Sequence, residues 1–476
     1  MKAIARAFPP LIAARAGASP VRYALPVVEG ARRTLAIGWL WLALGALIGS
    51  GVFSLLLVLA RTPGLQQLFP VADFFHVALV VHVDLSVLVW FASMAGMLWT
   101  LNSGSRYLPL GRGALVLAAI GAALMAASAF LGRGVPIMSN YVPVLDDTLF
   151  LYGLLVFGTA FALLVLRGLL APPSIDARLD GAGALRFGLN ASVVAAAIAL
   201  GALIWSWLEL PDTLGGKPYY ELLFWGGGHA IQFTWTLLML VAWLWLATLT
   251  DAHAPLTPRV TVLLFTIALA SVFAVPVIYY AWDVTSVQHQ KLHTWLMRFG
   301  GGLAILPVAA AVALGLSRAS RTHGAMRPLR AALLSSVVLF ALGGAVGFLI
   351  RGSDVRIPAH YHGAIVGVTL ALMGLTYALL PRFGFRAPQG RLAVLQPYLY
   401  GGGQLLHVLG LVWSGGYGVQ RKVAGTEQML RSTQEVLGMG LMGLGGLIAV
   451  TGGLLFIVVC LRAICGRRAV PNPACG

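Results

Sequence analysis

Long apolar runs separated by short polar stretches recur from one end of the chain to the other. Twelve are long enough, at about 20 residues, to cross a bilayer core of about 30 Å as helices. They lie near residues 34–60, 71–101, 113–132, 146–170, 188–210, 219–249, 259–282, 292–317, 328–350, 358–381, 394–415 and 435–461. Only modest loops separate them, so the pattern predicts an all-α membrane protein, a bundle of twelve transmembrane helices. Residues 34–464 form that membrane domain, between an N-terminal tail at 1–33 and a C-terminal tail at 465–476.

Composition agrees. Of the 476 residues 59% are hydrophobic and 10% charged, and the mean hydropathy is +0.88, outside the range of a soluble domain. The net charge of +17 could suggest nucleic acid, but its distribution follows the membrane. Of 32 Lys and Arg, 22 fall on the N-terminal side and the loops sharing its face. The positive-inside rule then makes both termini cytoplasmic, as in a bacterial inner (plasma) membrane protein whose surroundings are lipid and not nucleic acid. The basic start "MKAIARAFPPLIAARAGASPVRY" lacks the apolar core and cleavage site of a secretory signal. Cys460, Cys465 and Cys475 show no CxxC spacing, which argues against structural zinc or a disulfide framework.

The chemistry lies in the histidines. Of ten, His253 and His323 belong to cytoplasmic loops, whereas His76, His82, His229, His289, His293, His360, His362 and His407 fall in or beside spans 2, 6, 8, 10 and 11. Ionisable side chains within a membrane are rare and mark functional sites. His360 and His362 project about 200° apart on a helix. They cannot easily share one metal, but each can hold a planar cofactor on its own flank, and imidazole is a standard axial ligand of haem iron.

The segment "AHYHGAIVGVTLALMGLTYALLPRFG" resembles span 10 of the haem-copper oxidase superfamily subunit I, which includes cytochrome c oxidases and nitric oxide reductases. The resemblance implies two haems, with His360 on the high-spin one and His362 on the low-spin one. It makes His82 in "VVHVDLSVLVWFASMAGMLW" the second low-spin ligand, in preference to His76. "ELLFWGGGHAIQFTW" resembles the B-type segment in which a histidine binds a non-haem metal, copper or iron, which assigns that position to His229. Glycines 226–228 would admit a cofactor face, and Gln232 is the nearest polar neighbour in sequence. In "SGGYGVQRKVAG", Arg421 and Lys422 resemble the basic loop that faces haem propionates.

The family pattern breaks in span 7. "FAVPVIYYAWDV" carries Tyr279 and Tyr280 where oxidases have two adjacent histidines. His289 and His293 are conceivable substitutes, and their place at the start of span 8 argues against a ligand role. Phe233 stands where many oxidases have a tyrosine, which removes that route to four-electron oxygen chemistry. The resemblance therefore implies the catalytic subunit of a respiratory oxidoreductase that reduces a gas, O2 or NO. No CuA-type set and no CxxCH occur, so electrons come from another subunit, a soluble cytochrome or a quinol. Two other classes stay open: a non-catalytic di-haem electron-transfer or gas-binding protein that has lost the copper site, and a twelve-span transporter.

Overall fold

A computed structural model describes residues 20–27, 29–61, 74–173, 179–319, 324, 326–421 and 430–466. Much of the N-terminal tail, most of the C-terminal tail, Lys422 and Cys475 lie outside the described residues. Among the described residues, eleven helical stretches are long and apolar enough to cross a membrane. They are α1 (Ala31–Arg61), α2 (Phe74–Asn102), α3 (Leu108–Ser128), α4 (Thr148–Leu170), α5 (Gly181–Glu209), α6 (Gly216–Leu249), α7 (Pro258–Ala281), α8 (Val287–Arg318), α9 (Met326–Leu349), α10 (Arg356–Leu379) and α12 (Thr433–Cys465). The 26-residue α11 (Arg391–Gly416) completes the twelve.

Capping decides the ends that hydropathy misplaces. α5 begins at 181 rather than 188 because Asp180 accepts the Gly183 N–H at 2.7 Å. α8 begins at 287 rather than 292 because the Ser286 hydroxyl accepts the His289 N–H at 3.2 Å. Each cap satisfies a donor that the first helical turn leaves unpaired.

The helices group into two compact units, α1–α8 and α9–α12. In the first, Trp90–Asn102 of α2 is buried on every side, as is almost all of α6 from Phe233 to Thr248, while α4 and α8 expose Leu155, Leu166, Leu303 and Leu306. A helix apolar all round belongs in the centre, and one with exposed leucines faces lipid. α7 is interrupted at Phe273, three residues before Pro276, whose ring and missing N–H break the backbone ladder there. α8 is interrupted at Gly301, and the Ser271 hydroxyl donates to the Gly300 carbonyl at 3.1 Å.

Between α3 and α4 a hairpin pairs β1 (Val135–Ile137) antiparallel to β2 (Val144–Asp146). In the second unit, Gly403 and Gly410 of α11 lie against the backbone of α12 at Gly445, Ala449, Gly438 and Met442. Glycines seven residues apart on one face allow that approach, as small residues do at membrane helix interfaces.

Candidate functional site

His82 follows two turns of regular helix and precedes a π-helical stretch, Asp84–Val89. Such widened turns occur frequently at functional sites. The ring Nδ1 sits 3.0 Å from the Ser50 carbonyl and 3.0 Å from the hydroxyls of Ser50 and Ser54. The carbonyl accepts and so fixes hydrogen on Nδ1, which leaves the lone pair on Nε2. Ser86 donates to the His82 carbonyl at 2.7 Å, satisfying an acceptor that the irregular turn loosens. His76 instead meets the Phe75 ring edge-on, with centroids 5.1 Å apart.

On α10, His360 repeats the device, its Nδ1 donating to the Gly343 carbonyl of α9 at 2.7 Å. Glycines make the room: a Cβ at Gly347 would stand 2.9 Å from the His360 ring, and one at Gly343 would strike the α10 backbone. His362 faces different neighbours, its ring centroid 4.5 Å from that of His407 on α11, whose own Nδ1 donates to the Met442 carbonyl at 3.0 Å. The two α10 imidazoles thus have separate surroundings. Arg421 donates to the Ser353 hydroxyl at 3.3 Å. The adjoining backbone pairs Val355 N–H with the Val419 carbonyl at 3.0 Å, which holds Arg421 near the start of α10. There Asp354 accepts from the Arg356 backbone and guanidinium, and that fork holds its carboxyl below the ordinary value.

The third group departs most from the sequence expectation. His229 on α6 and His293 on α8 have ring centroids 6.1 Å apart, and His293 and His289 are 4.4 Å apart. All three are buried. His289 and His293, whose place at the start of span 8 argues against a ligand role, lie on α8 with the His293 ring facing that of His229. Trp225 helps place them by donating its indole N–H to the Gln290 carbonyl at 3.2 Å. Tyr279 stands edge-on to His289 and His293 at 4.6 and 5.5 Å, its hydroxyl bonded to Ser206 at 2.7 Å, whereas Tyr280 is 87% exposed.

Hydrogen bonds divide these imidazoles. His229 Nδ1 donates to the Trp225 carbonyl at 2.7 Å and His293 Nδ1 to the His289 carbonyl at 2.9 Å. His229 Nε2 accepts from the Tyr141 hydroxyl at 2.9 Å. By contrast, among the described residues His293 Nε2 and both ring nitrogens of His289 have no hydrogen-bond partner. Tyr141 comes from the turn of the β1–β2 hairpin, with a left-handed backbone at φ 65°. The hairpin is tied to α6 by Glu221, which accepts from the Asn140 backbone at 3.0 Å and from its side-chain amide.

The glycines before His229 serve the tyrosines. A Cβ at Gly226 would overlap the Tyr279 hydroxyl and one at Gly228 the Tyr141 ring, while Gly227 faces the α5 backbone at Ala199. Gln232 is half-buried and makes no hydrogen bond to His229.

Imidazole is a ligand type that suits copper, iron and zinc, and unpartnered ring nitrogens are costly when buried. Among the described residues, no three His, Cys, Asp or Glu side chains converge on one metal-binding point. For haem the fit is one of donors: His82 and His360 each have Nδ1 fixed by a carbonyl, which orients Nε2 for iron.

The family described as Cytochrome C and Quinol oxidase polypeptide I matches residues 34–449. An uncharacterised protein of Rickettsia prowazekii, RP382, is 29% identical over 90% of this chain and 95% of its own length. One from Aquifex aeolicus is also 29% identical, over 76% of this chain and 88% of its own. Among solved structures, a heme-copper terminal oxidase dimer determined by cryo-EM shares the fold with a TM-score of 0.70 at 15% identity, covering 93% of this chain and 86% of the oxidase chain.

Proposed function

The chain belongs to the cytochrome c and quinol oxidase polypeptide I family, and from that premise we propose that it is the catalytic subunit of a respiratory oxidoreductase in a bacterial inner membrane, both termini cytoplasmic. In this reading His82 and His362 would hold a low-spin haem. His360 would hold a high-spin haem, and His229 a non-haem metal, copper or iron. Bound haem supplies a one-electron redox couple and an open coordination position for a diatomic gas. The chain's own residues orient the imidazoles: Ser50 and Gly343 carbonyls fix Nδ1 of His82 and His360. Arg421 and Lys422 offer counter-charges to propionate carboxylates. Phe233 has no proton to give, which favours NO reduction with two electrons while O2 stays open.

The carbonyl-anchored His360 is the observation that best supports this reading. A reduced-minus-oxidised spectrum with quantified iron and copper, followed by turnover with O2 and with NO, tests it; no haem absorption in the purified protein would refute it. One observation favours a second reading. Tyr141 occupies His229 Nε2, which suits a di-haem electron-transfer or gas-binding protein without the second metal. Either way, electrons arrive from another subunit, a soluble cytochrome or a quinol.

A further inference from the structure

We propose that a cavity between the α10–α11 turn and the end of α12 holds the phosphate of an anionic phospholipid, whose acyl chain runs along α11 and α12. The site lies wholly within the second unit. Its volume is about 350 Å³, in the range of small-molecule sites, and Arg386, Arg391 and Arg462 line it together with Leu392, Val459 and Ala463. All three arginines are exposed, and among the described residues none of them forms an ion pair. The sequence offers them no acid nearby. Residues 319–476 hold only Asp354, Glu427 and Glu435, all in or beside the α9–α10 and α11–α12 connections, at the opposite ends of these helices.

Backbone contacts shape the cavity. The Arg386 N–H donates to the Ala463 carbonyl at 3.1 Å, which pins the turn to α12, and a Cβ at Gly466 would stand 2.7 Å from the Arg386 Cδ. Gly390, at φ 89°, turns the chain into α11 without a side-chain cap. The first-turn N–H groups of α11, beside Arg391 and Leu392, are thus left for an acceptor, and phosphate oxygens accept both from helix N-termini and in pairs from arginine. Charge alone does not choose a lipid, because the positive-inside rule gathers arginine on this side in any case. The apolar wall does. Val458 and Leu454 continue from Arg462 at four-residue spacing and Leu395 follows Leu392 at three, all of them exposed, so apolar strips lead from the cavity along both helices. An amphiphile uses the cations and the strips together; free phosphate would use only the first. In the topology proposed above this is the cytoplasmic leaflet, where basic pockets between helices take anionic headgroups.

The test uses the full-length protein, purified and delipidated in detergent, then titrated with dioleoylphosphatidylglycerol or dioleoylphosphatidylcholine while native mass spectrometry counts bound lipid. The first phosphatidylglycerol should bind about tenfold or more tightly than phosphatidylcholine. Replacing all three arginines, Arg386→Gln, Arg391→Gln and Arg462→Gln, should weaken phosphatidylglycerol by about tenfold or more, with the size-exclusion profile unchanged. Arg112→Gln, at an exposed arginine of α3 in the other unit, should leave it as it was. Inorganic phosphate at the lipid's concentration should displace none. Equal binding of the two lipids overturns the proposal, as does a triple variant that keeps the parental affinity. A loss in Arg112→Gln as large as in the triple variant would trace binding to the general field of the basic face, and displacement by phosphate would make this a site for a soluble anion; either result also overturns it. If the triple variant fails to fold, Arg462→Gln alone decides, with a loss of about fivefold expected from one arginine and no loss counting against the site.

Discussion

Single imidazoles carry the first expectation. His82→Ala and His362→Ala should each abolish the low-spin haem signal and leave a high-spin haem, because a bis-histidine iron loses six-coordination with either ligand. His76→Ala should keep the low-spin signal; an unchanged spectrum in both of the first two variants would refute the assignment. At the same scale, Gly228→Ala forces a methyl into the Tyr141 ring. Overpacking of this kind costs about 1–3 kcal/mol, so its unfolding temperature in detergent should fall. Gly402→Ala meets nothing within 4 Å and should hold or slightly raise it, since alanine is the better helix former. The haem-ligand candidates were legible as residues because imidazoles on apolar helices are conspicuous. Tyr141 was not, because it comes from a short polar loop whose path depends on Glu221, 81 positions beyond Asn140.

Between residue and whole molecule, helix ends do the placing. The apolar pattern located all twelve helices but set the start of α8 too late, since Ser286 and the polar first turn carry no hydropathy signal. His289 and His293 therefore read as flanking residues, although five residues from Trp282 to Ser286 suffice to return the chain from α7 to the same level. The start of α10 is held by charge instead. The Arg356 fork keeps the Asp354 carboxyl below its ordinary value, so the ionised pair stabilises the fold above about pH 4, where an unfolded aspartate is charged. That contribution is lost as pH falls through the depressed value. Asp354→Asn should lower the unfolding temperature near neutrality, and its difference from the parent should shrink on acidification below about pH 4. A difference constant with pH would refute the pairing.

For the whole molecule, twelve membrane crossings would return the chain to the face where it began. Reporter fusions, one requiring export and one requiring the cytoplasm, should place both termini inside; activity of an exported reporter at the C-terminus would refute this. The fold was legible because lipid enforces one period and one length on every helix. Contact between α6 and α8 was not, being set by the break in α7 and by Trp225 reaching Gln290. The hairpin has one more consequence, for the speed of assembly. Tyr141 is tethered, so dilution never lowers its effective concentration at His229. If the hydroxyl must leave before His229 can bind, the observed rate of metal uptake should level off at high metal concentration, at the rate at which the hairpin lifts. Glu221→Gln, which weakens the tie to Asn140, should raise that plateau in stopped-flow measurements with Cu(II). A rate that climbs in proportion to metal without limit would show that the tyrosine never stands in the way.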